Sequence, residues 1–167
     1  MLCAGNTGII DRAGNMTDEE FSRNVSVVRI VLKDLSFETP MGAEVFSGEW
    51  QPDYELNLQL GNARLDADNW EVILKVTVTA RVEKGVAFLI EAHEAGVFNI
   101  PGLQDEPLHR ALEIEAPMLI YPYLRETVNS VAARGGFPPV NLRLFDFEAR
   151  YEARKRLQSG ADSDKAG

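Results

Sequence analysis

The residue types that carry out catalysis are sparse in this chain, and the best-placed pair is Glu91 and His93. A spacing of two puts both side chains on one face of a β-strand, where they could offer two ligands to a metal ion or act as a general base. No third or fourth ligand is signalled, and histidine is common on solvent-exposed strand faces. The pattern favours a structural or solvated role, with a metal-dependent enzyme as the weaker alternative.

Sequence motifs of the common enzyme classes are also absent. The chain contains no GxSxG, HExxH, CxxC or phosphate-loop pattern. Ser, His and Asp residues occur without a local signature that would join them. We therefore predict a binding protein rather than an enzyme, with no catalytic residues, no metal and no cofactor.

A second group of polar residues is typical of binding. Asp34, Glu38 and Glu91 can lie on one solvent-exposed face, beside an exposed Leu89, if the first and fourth strands are neighbours in a sheet. Carboxylates around an apolar anchor make a suitable docking surface for a basic partner. The plainer interpretation of the same spacing is an ordinary solvated face.

The apolar residues exceed what a small sheet needs for its core. Core packing accounts for most of them, and a groove for an extended apolar peptide is the functional alternative. The residues concerned are Trp50, Tyr54, Leu56, Leu58, Phe98, Ile100 and Leu103.

Composition narrows the class of partner. The net charge is −9 and the sequence pI is about 4.7, which argues against nucleic acid and against anionic membrane surfaces. No apolar run is long enough to span a bilayer, so we predict no direct membrane insertion. Cys3 is the only cysteine, so no intrachain disulfide can form, and a cytoplasmic location fits.

Four segments with alternating polarity predict β-strands, at Val25–Glu38, Asp53–Leu60, Trp70–Arg81 and Val86–His93. Lys84-Gly85 joins the last two closely enough for a hairpin. Sequential strands with short connections predict a four-stranded antiparallel meander. Helical patterns follow the strands, so the predicted fold class is α+β.

The helical half begins after an irregular connection predicted at Ala95–Pro107. The segment Pro117–Leu142 is apolar on nearly every side at its start and is stopped by Gly135-Gly136. A helix of this kind must be covered on more than one side, which predicts an oligomer. A charged last helix is predicted near Asp146–Gln158, with Asp146 as its N-cap.

Several of these segments, in order from about Val25 to Phe147, resemble the SecB family of bacterial protein-export chaperones. They are LKDLSFETP (32–40), EWQP (49–52), EVILKVTVTA (71–80), AFLIE (87–91), AGVFNIPG (95–102) and PYLRETVNSVAARGGFPPVNL (122–142).

The resemblance implies a four-stranded antiparallel sheet with a long crossover loop, a main helix and a C-terminal helix. It implies a homotetramer, a dimer of dimers, with the main helices packed between two eight-stranded sheets. It also implies a cytoplasmic holdase that keeps unfolded precursor proteins translocation-competent and delivers them to the motor ATPase SecA. Such a chaperone needs no ATP of its own.

The resemblance also implies roles for the residues described above. The positions that dock SecA, through its basic zinc-bearing tail, match Asp34, Glu38, Leu89 and Glu91. The client groove is carried over onto the seven apolar residues from Trp50 to Leu103 named above. A chaperone dedicated to one client, such as an antitoxin, is the alternative, and the retained docking residues argue against it.

The predicted domain limits follow from composition and from the resemblance. Residues 1–20 are predicted to be a disordered extension, 21–158 a single chaperone domain and 159–167 a disordered acidic tail. The last helix is more charged than the family pattern leads us to expect. Arg150 stands where an apolar residue is expected.

Overall fold

A computed structural model of the protein describes residues 25–163. The extension predicted at residues 1–20 and the last part of the predicted tail lie outside the described residues. The strands are β1 (Ser26–Glu38), β2 (Asp53–Arg64), β3 (Asn69–Val82) and β4 (Gly85–Asn99). The helices are α1 (Asp105–Arg110), α2 (Ala116–Arg134) and α3 (Phe147–Ser163), with a π-helical segment, Ala111–Glu115, that joins α1 to α2.

The four strands form one antiparallel sheet in the order β1-β4-β3-β2, which confirms the predicted α+β fold class. β2, β3 and β4 follow one another as a meander, with the predicted hairpin turn between Val82 and Gly85. β1 lies beside β4 rather than β2, because residues 39–52 cross over the sheet between β1 and β2. The sheet therefore brings the first and fourth strands together.

β4 is longer than predicted, and the irregular connection predicted to begin at Ala95 is wrong at its start. The strand continues to Asn99 because β1 and β3 pair with it on both sides. Ala95 lies opposite Val31 on one side and Ile73 on the other. Small residues with low strand propensity adopt the strand here because two neighbours hydrogen-bond to it.

The core lies between the sheet and α2. Ile120, Leu124 and Val128 recur every four residues on α2, and each is completely buried against the sheet. Gly96 allows this close approach, since a Cβ atom there would overlap the ring of Phe98 and lie 3.2 Å from Ile120 Cγ1. A side chain at position 96 would therefore displace the Phe98 ring and crowd Ile120 of α2.

The main helix ends where the sequence predicts. Pro117 lies in its first turn and Pro122 within it, so neither proline stops it. Gly136, with φ of 84°, adopts the left-handed conformation just beyond the last turn. The chain then turns back along the sheet towards α3.

The crossover between β1 and β2 is held to the sheet by aromatic rings. The indole of Trp50 stacks on Phe88 at 6.3 Å between ring centroids and lies 5.2 Å from Phe137. Phe46, in a 3₁₀ turn at Gly42–Ser47, lies 5.1 Å from the same Phe137. The crossover is therefore anchored on the side of the sheet that faces the helices.

Helix α3 begins as predicted, because the Asp146 side chain accepts a hydrogen bond from the Ala149 N–H at 2.8 Å. It runs to Ser163, five residues beyond the predicted end. Among residues 25–163, no helix is long and apolar enough to cross a membrane.

Candidate functional site

The four predicted docking residues lie together on the face of the sheet that points away from the helices, which we call the outer face. Residues directly opposite each other on paired strands share a face. Asp34 lies opposite His93, and Glu38 lies opposite Leu89. Glu91 lies two residues from both Leu89 and His93 on the same strand, so the set spans β1 and β4.

The outer face presents its carboxylates to solvent. Asp34, Glu38 and Glu91 are exposed, and the Asp34 side chain is 65% accessible. Leu89 is half-buried rather than exposed as predicted, because Glu38 on β1 and Thr79 on β3 flank it. The arrangement is a shallow apolar spot bordered by negative charge, which can attract a basic segment.

His93 has electrostatic neighbours that account for it without a metal ion. Its Nδ1 lies 3.8 Å from Asp34 Oδ2 on β1, and Lys75 of β3 lies opposite it on the other side. No group of three or more His, Cys, Asp or Glu residues within residues 25–163 is placed to hold a metal ion. His93 therefore lies in a row with Asp34 and Lys75 across the outer face.

A cleft opens on the opposite, helix-facing side of the sheet. It has a volume of about 530 Å³, and Tyr54, Leu56 and Leu58 of β2 form one wall. Tyr121 of α2 and the loop that precedes α3 line the rest. Leu56 is 52% exposed in the cleft, which is high for a leucine on the core side of a sheet.

β2 is also an edge strand of the sheet. Only β3 pairs with it within the described part of the chain. The backbone along its other side can therefore hydrogen-bond to an added extended chain. The edge of β2 and the cleft are thus formed by the same residues.

The other predicted groove residues are not brought together with this cleft. Phe98 is completely buried in the core, and Trp50 is half-buried in the aromatic anchor of the crossover. Ile100 and Leu103 are almost completely buried and line a different cleft, beside Trp70 at the far end of the sheet. The seven residues therefore do not form one continuous surface in this structure.

Sequence reasoning missed the loop wall of the cleft. Residues 140–145 contribute Leu142, Leu144 and Phe145, and Leu144 is 84% exposed. The available signal was an apolar run, VNLRLF, after a Gly-Gly and a Pro-Pro pair, where loops are usually polar. An apolar loop of this kind indicates a binding surface.

The surroundings of two tyrosines in the cleft shift their pKa values. Burial raises the pKa of Tyr121, and it also raises that of Tyr54 against the opposing effect of a hydrogen bond with Trp50. The Tyr121 hydroxyl donates a hydrogen bond to the carbonyl oxygen of Arg143. The neutral phenol thus fastens the loop to α2.

Further apolar side chains lie on the surface of this single chain. Met118 and Tyr123 of α2 are 58% and 54% exposed, and Leu119 is 44% exposed. Val27 and Leu32 of the edge strand β1 are 45% and 47% exposed on the helix-facing side. The apolar start of the main helix predicts a contact with another copy of the chain, and the exposed residues of α2 are suited to form it.

The fold and these surfaces define a protein of the α+β class, with an acidic face on one side of a sheet and an apolar cleft on the other. Comparison with known families is more specific. The family model "Preprotein translocase subunit SecB" matches residues 18–158, so the chain belongs to the SecB family. Proteins of this family are chaperones that act in protein export, which confirms that the protein is not an enzyme.

Curated relatives are similar over most of the chain. The protein-export protein SecB of Hahella chejuensis is 42% identical over 132 residues, which cover 78% of this chain and 83% of the relative. SecB of Alkalilimnicola ehrlichii is 39% identical over 148 residues, which cover 89% and 78% respectively. The resemblance inferred from the sequence is confirmed.

A solved structure shares the fold. The Mycobacterium tuberculosis SecB-like chaperone, in complex with a ChAD peptide from the HigA1 antitoxin, matches with a TM-score of 0.59 and 18% identity. The match covers 75% of this chain and 94% of that one. At this identity the likeness establishes the four-stranded sheet and helices alone.

Proposed function

We propose that this protein is a cytoplasmic holdase chaperone that binds unfolded precursor proteins, keeps them translocation-competent and delivers them to SecA. The observation that carries the proposal is the separation of two surfaces by one sheet. Asp34, Glu38, Leu89 and Glu91 form an acidic face on one side, and Tyr54, Leu56 and Leu58 form an apolar cleft on the other. A carrier that must hold one partner while it docks with another needs two such surfaces.

Client binding uses the cleft together with the edge of β2. An extended client adds to the β2 backbone, and its alternate side chains enter the cleft beside Leu56. Backbone hydrogen bonds are the same for every sequence, and apolar burial contributes about 25 cal/mol per Å² whatever the side chain. The mode of binding therefore tolerates many client sequences and excludes folded proteins, whose strands are already paired.

Of the seven residues predicted for the groove, Tyr54, Leu56 and Leu58 contact the client first in this proposal. Trp50 holds the crossover that borders their end of the sheet. Phe98, Ile100 and Leu103 contribute to a client surface only if the chain around them rearranges, because they are buried here. Their replacement should mainly lower stability.

Motor docking uses the outer face. The basic, zinc-bearing tail of SecA is attracted to the exposed carboxylates of Asp34, Glu38 and Glu91, and Leu89 supplies the apolar contact between them. The net charge of −9 adds a longer-range attraction, which raises the rate of encounter at low salt. Because the cleft lies on the other face, docking leaves the client in place.

We further propose that the protein works as a homotetramer, a dimer of dimers. A second copy covers the exposed apolar side chains of α2 and of β1, whose outer edge is free of strand partners within residues 25–163. A tetramer presents several clefts to one long client, so weak contacts add up. Preferential binding of the unfolded state then withholds the client from folding.

Calorimetric titration of the SecA tail into the purified protein tests this proposal. Wild type should bind saturably, and the double variant Asp34→Ala, Glu91→Ala should lose binding while its circular dichroism and its ability to slow client refolding stay unchanged. A folded wild type that holds clients but does not bind the tail would contradict delivery to SecA. It would leave a chaperone dedicated to other clients.

A further inference from the structure

One charged side chain lines the cleft beside Leu56. Apolar and aromatic residues of β2, β3 and α2 form most of the cleft, and Arg143 is the only charged residue among the described residues that line it. Arg143 is exposed, and no carboxylate of the described residues lies within ion-pair distance of it. A guanidinium in this position is available to pair with a carboxylate of a ligand.

The backbone of Arg143 is held in place from the main helix. The Tyr121 hydroxyl donates a hydrogen bond to the Arg143 carbonyl oxygen. Three residues earlier in the loop, the Val140 N–H donates a hydrogen bond of 3.1 Å to Asn129 Oδ1 of α2. Because α2 fixes the loop at two points, a ligand has only the arginine side chain to order when it binds.

A second guanidinium adds positive charge to the same wall of the cleft. Arg125 lies one helical turn after Tyr121, on the same face of α2. Burial raises the pKa of Tyr121, and the nearby charge of Arg125 opposes that rise. Arg125 Nε is buried and has no hydrogen-bond partner within the described residues. This wall therefore presents positive charge in a protein whose net charge is −9.

The carboxylates of β2 point away from the cleft. Leu56 lies between Glu55 and Asn57, and the strand period of two places both neighbours on the outer face. There, Glu55 Oε2 lies 3.8 Å from Arg81 Nε of β3. An anionic group in the cleft therefore meets apolar side chains, rather than carboxylates, on the wall that β2 forms.

We propose that Arg143 makes the cleft selective for extended segments of unfolded polypeptides that carry an aspartate or a glutamate beside their apolar residues. The apolar side chains of such a segment enter the cleft beside Leu56, and its carboxylate accepts hydrogen bonds from the Arg143 guanidinium. Paired hydrogen bonds between a guanidinium and a carboxylate are short and directional. This inference rests on the proposed holdase function and names a class of client for the same site.

The selectivity is local and opposes the charge of the whole protein. The net charge of −9 repels an acidic segment at long range, and salt at about 0.15 M screens this repulsion beyond about 8 Å. The contact with Arg143 acts at hydrogen-bond distance beside an apolar wall, so salt screens it less. An acidic segment is then favoured only when its apolar residues enter the cleft.

Three short peptides test the selectivity. Each is N-acetylated, C-amidated and fluorescently labelled, and alternates leucine with serine and glycine, with aspartate, asparagine or lysine at one central serine position. Fluorescence anisotropy at about 0.15 M salt measures the affinity of each peptide for the wild-type protein. We expect the aspartate peptide to bind about fivefold more tightly than the isosteric asparagine peptide. The lysine peptide should bind no more tightly than the asparagine peptide.

Three variants assign the preference to one side chain. Arg143→Gln should lower the affinity for the aspartate peptide to that for the asparagine peptide, whose own affinity should not change. Arg143→Lys keeps the charge without the planar guanidinium and should retain part of the preference. Arg29→Gln is the matched control, because Arg29 is exposed on the outer face of β1 and its loss changes the net charge equally. It should retain the full preference.

The outcomes separate the role of Arg143 from the function on which it rests. Equal binding of the aspartate and asparagine peptides by wild type, or a preference that survives Arg143→Gln, would overturn the role of Arg143 and leave the holdase intact. An equal loss of preference in Arg29→Gln would assign it to net charge and overturn the contact. Binding of none of the peptides would overturn the cleft as a client site and the role of Arg143 with it. If wild type also failed to slow client refolding, the holdase would be overturned too.

Discussion

The two faces of the sheet differ in the side chains they present, although both are formed by strands of alternating polarity. The outer face of β1 and β4 carries Asp34, Glu38 and Glu91 in solvent, whereas the helix-facing side of β2 carries Tyr54, Leu56 and Leu58 around an apolar cleft. A strand period of two assigns each residue to one side only. The two proposed binding surfaces can therefore be changed separately, one through charge and the other through apolar area.

The largest expected effect on stability concerns a charge cluster in which Glu113 of the π-helical segment lies against Arg150 and Arg154 of α3. Glu113→Ala removes the shared, buried partner of Arg150 and Arg154, which are partly exposed and can be solvated in its absence, so we expect the free energy of unfolding to fall by about 2 kcal/mol. The matched control replaces all three charges, as Glu113→Leu, Arg150→Met and Arg154→Leu, and should stay within about 1 kcal/mol of wild type. Urea denaturation measures both, and equal losses would show that the cluster does not act as a charge-paired unit.

Charge reversal on the outer face should separate the two functions. Glu91→Lys places a cation beside the carboxylates that we propose dock the SecA tail, and we expect about a hundredfold weaker binding of the tail with unchanged client holding. Glu55→Lys is the matched control, because it makes the same charge change on the same face at the distant strand β2. Similar losses in both variants would mean that only net charge matters.

A substitution that removes apolar area from the cleft should weaken client binding and leave SecA binding unchanged. Leu56→Ser removes a half-exposed leucine from the wall of the cleft, and we expect about tenfold weaker client binding, or about 1.4 kcal/mol, with unchanged docking. Leu65→Ser is the control, since Leu65 is 53% exposed in the turn after β2. Weaker SecA binding by Leu56→Ser would show that the faces are coupled.

A smaller effect on stability is expected at alkaline pH. Burial raises the pKa values of Tyr121 and Tyr151 above the ordinary value of 10.0, and a hydrogen bond with Glu106 also raises that of Tyr151. The folded state then holds these protons more tightly, so this stability is complete below about pH 10 and is lost as the pH rises through the folded values.

Thermal melts between pH 8 and pH 11 check this expectation. The double variant Tyr121→Phe, Tyr151→Phe should show a shallower decline above about pH 10 than wild type, even if its melting temperature is lower throughout. Tyr123→Phe, at an exposed position, should keep the wild-type slope. An unchanged slope in the double variant would assign the alkaline loss to other groups.

Local pattern was sufficient to predict four strands and to place Asp34 and Glu38 on one face, but not to predict every strand end. The alternation around Leu35 and Phe37 placed Asp34 and Glu38 on one side, and the pairing of β1 with β4 then brought Glu91 beside them. The end of β4 was not predictable locally, because Ala95 and Gly96 are strand residues only by virtue of the strands on both sides. Sheet neighbours, rather than propensity, decided that boundary.

The helix-facing side of the sheet was harder to predict, because contacts with other segments decide which residues are buried there. Composition identified Leu56 and Phe98 alike as surplus apolar residues, but only packing against α2 distinguishes the exposed one from the buried one. Arg150 looked out of place in an apolar position until the fold placed Glu113 opposite it. Contacts between segments distant in sequence leave no period to detect.

The most direct test of two independent faces is calorimetry of the SecA tail with the chaperone already saturated by an unfolded client. The account predicts saturable binding with the affinity of the client-free protein, and loss of binding in the Asp34→Ala, Glu91→Ala variant in both states. Tail binding that occurs without client but disappears when the cleft is filled would contradict it, since the two partners would then share one surface.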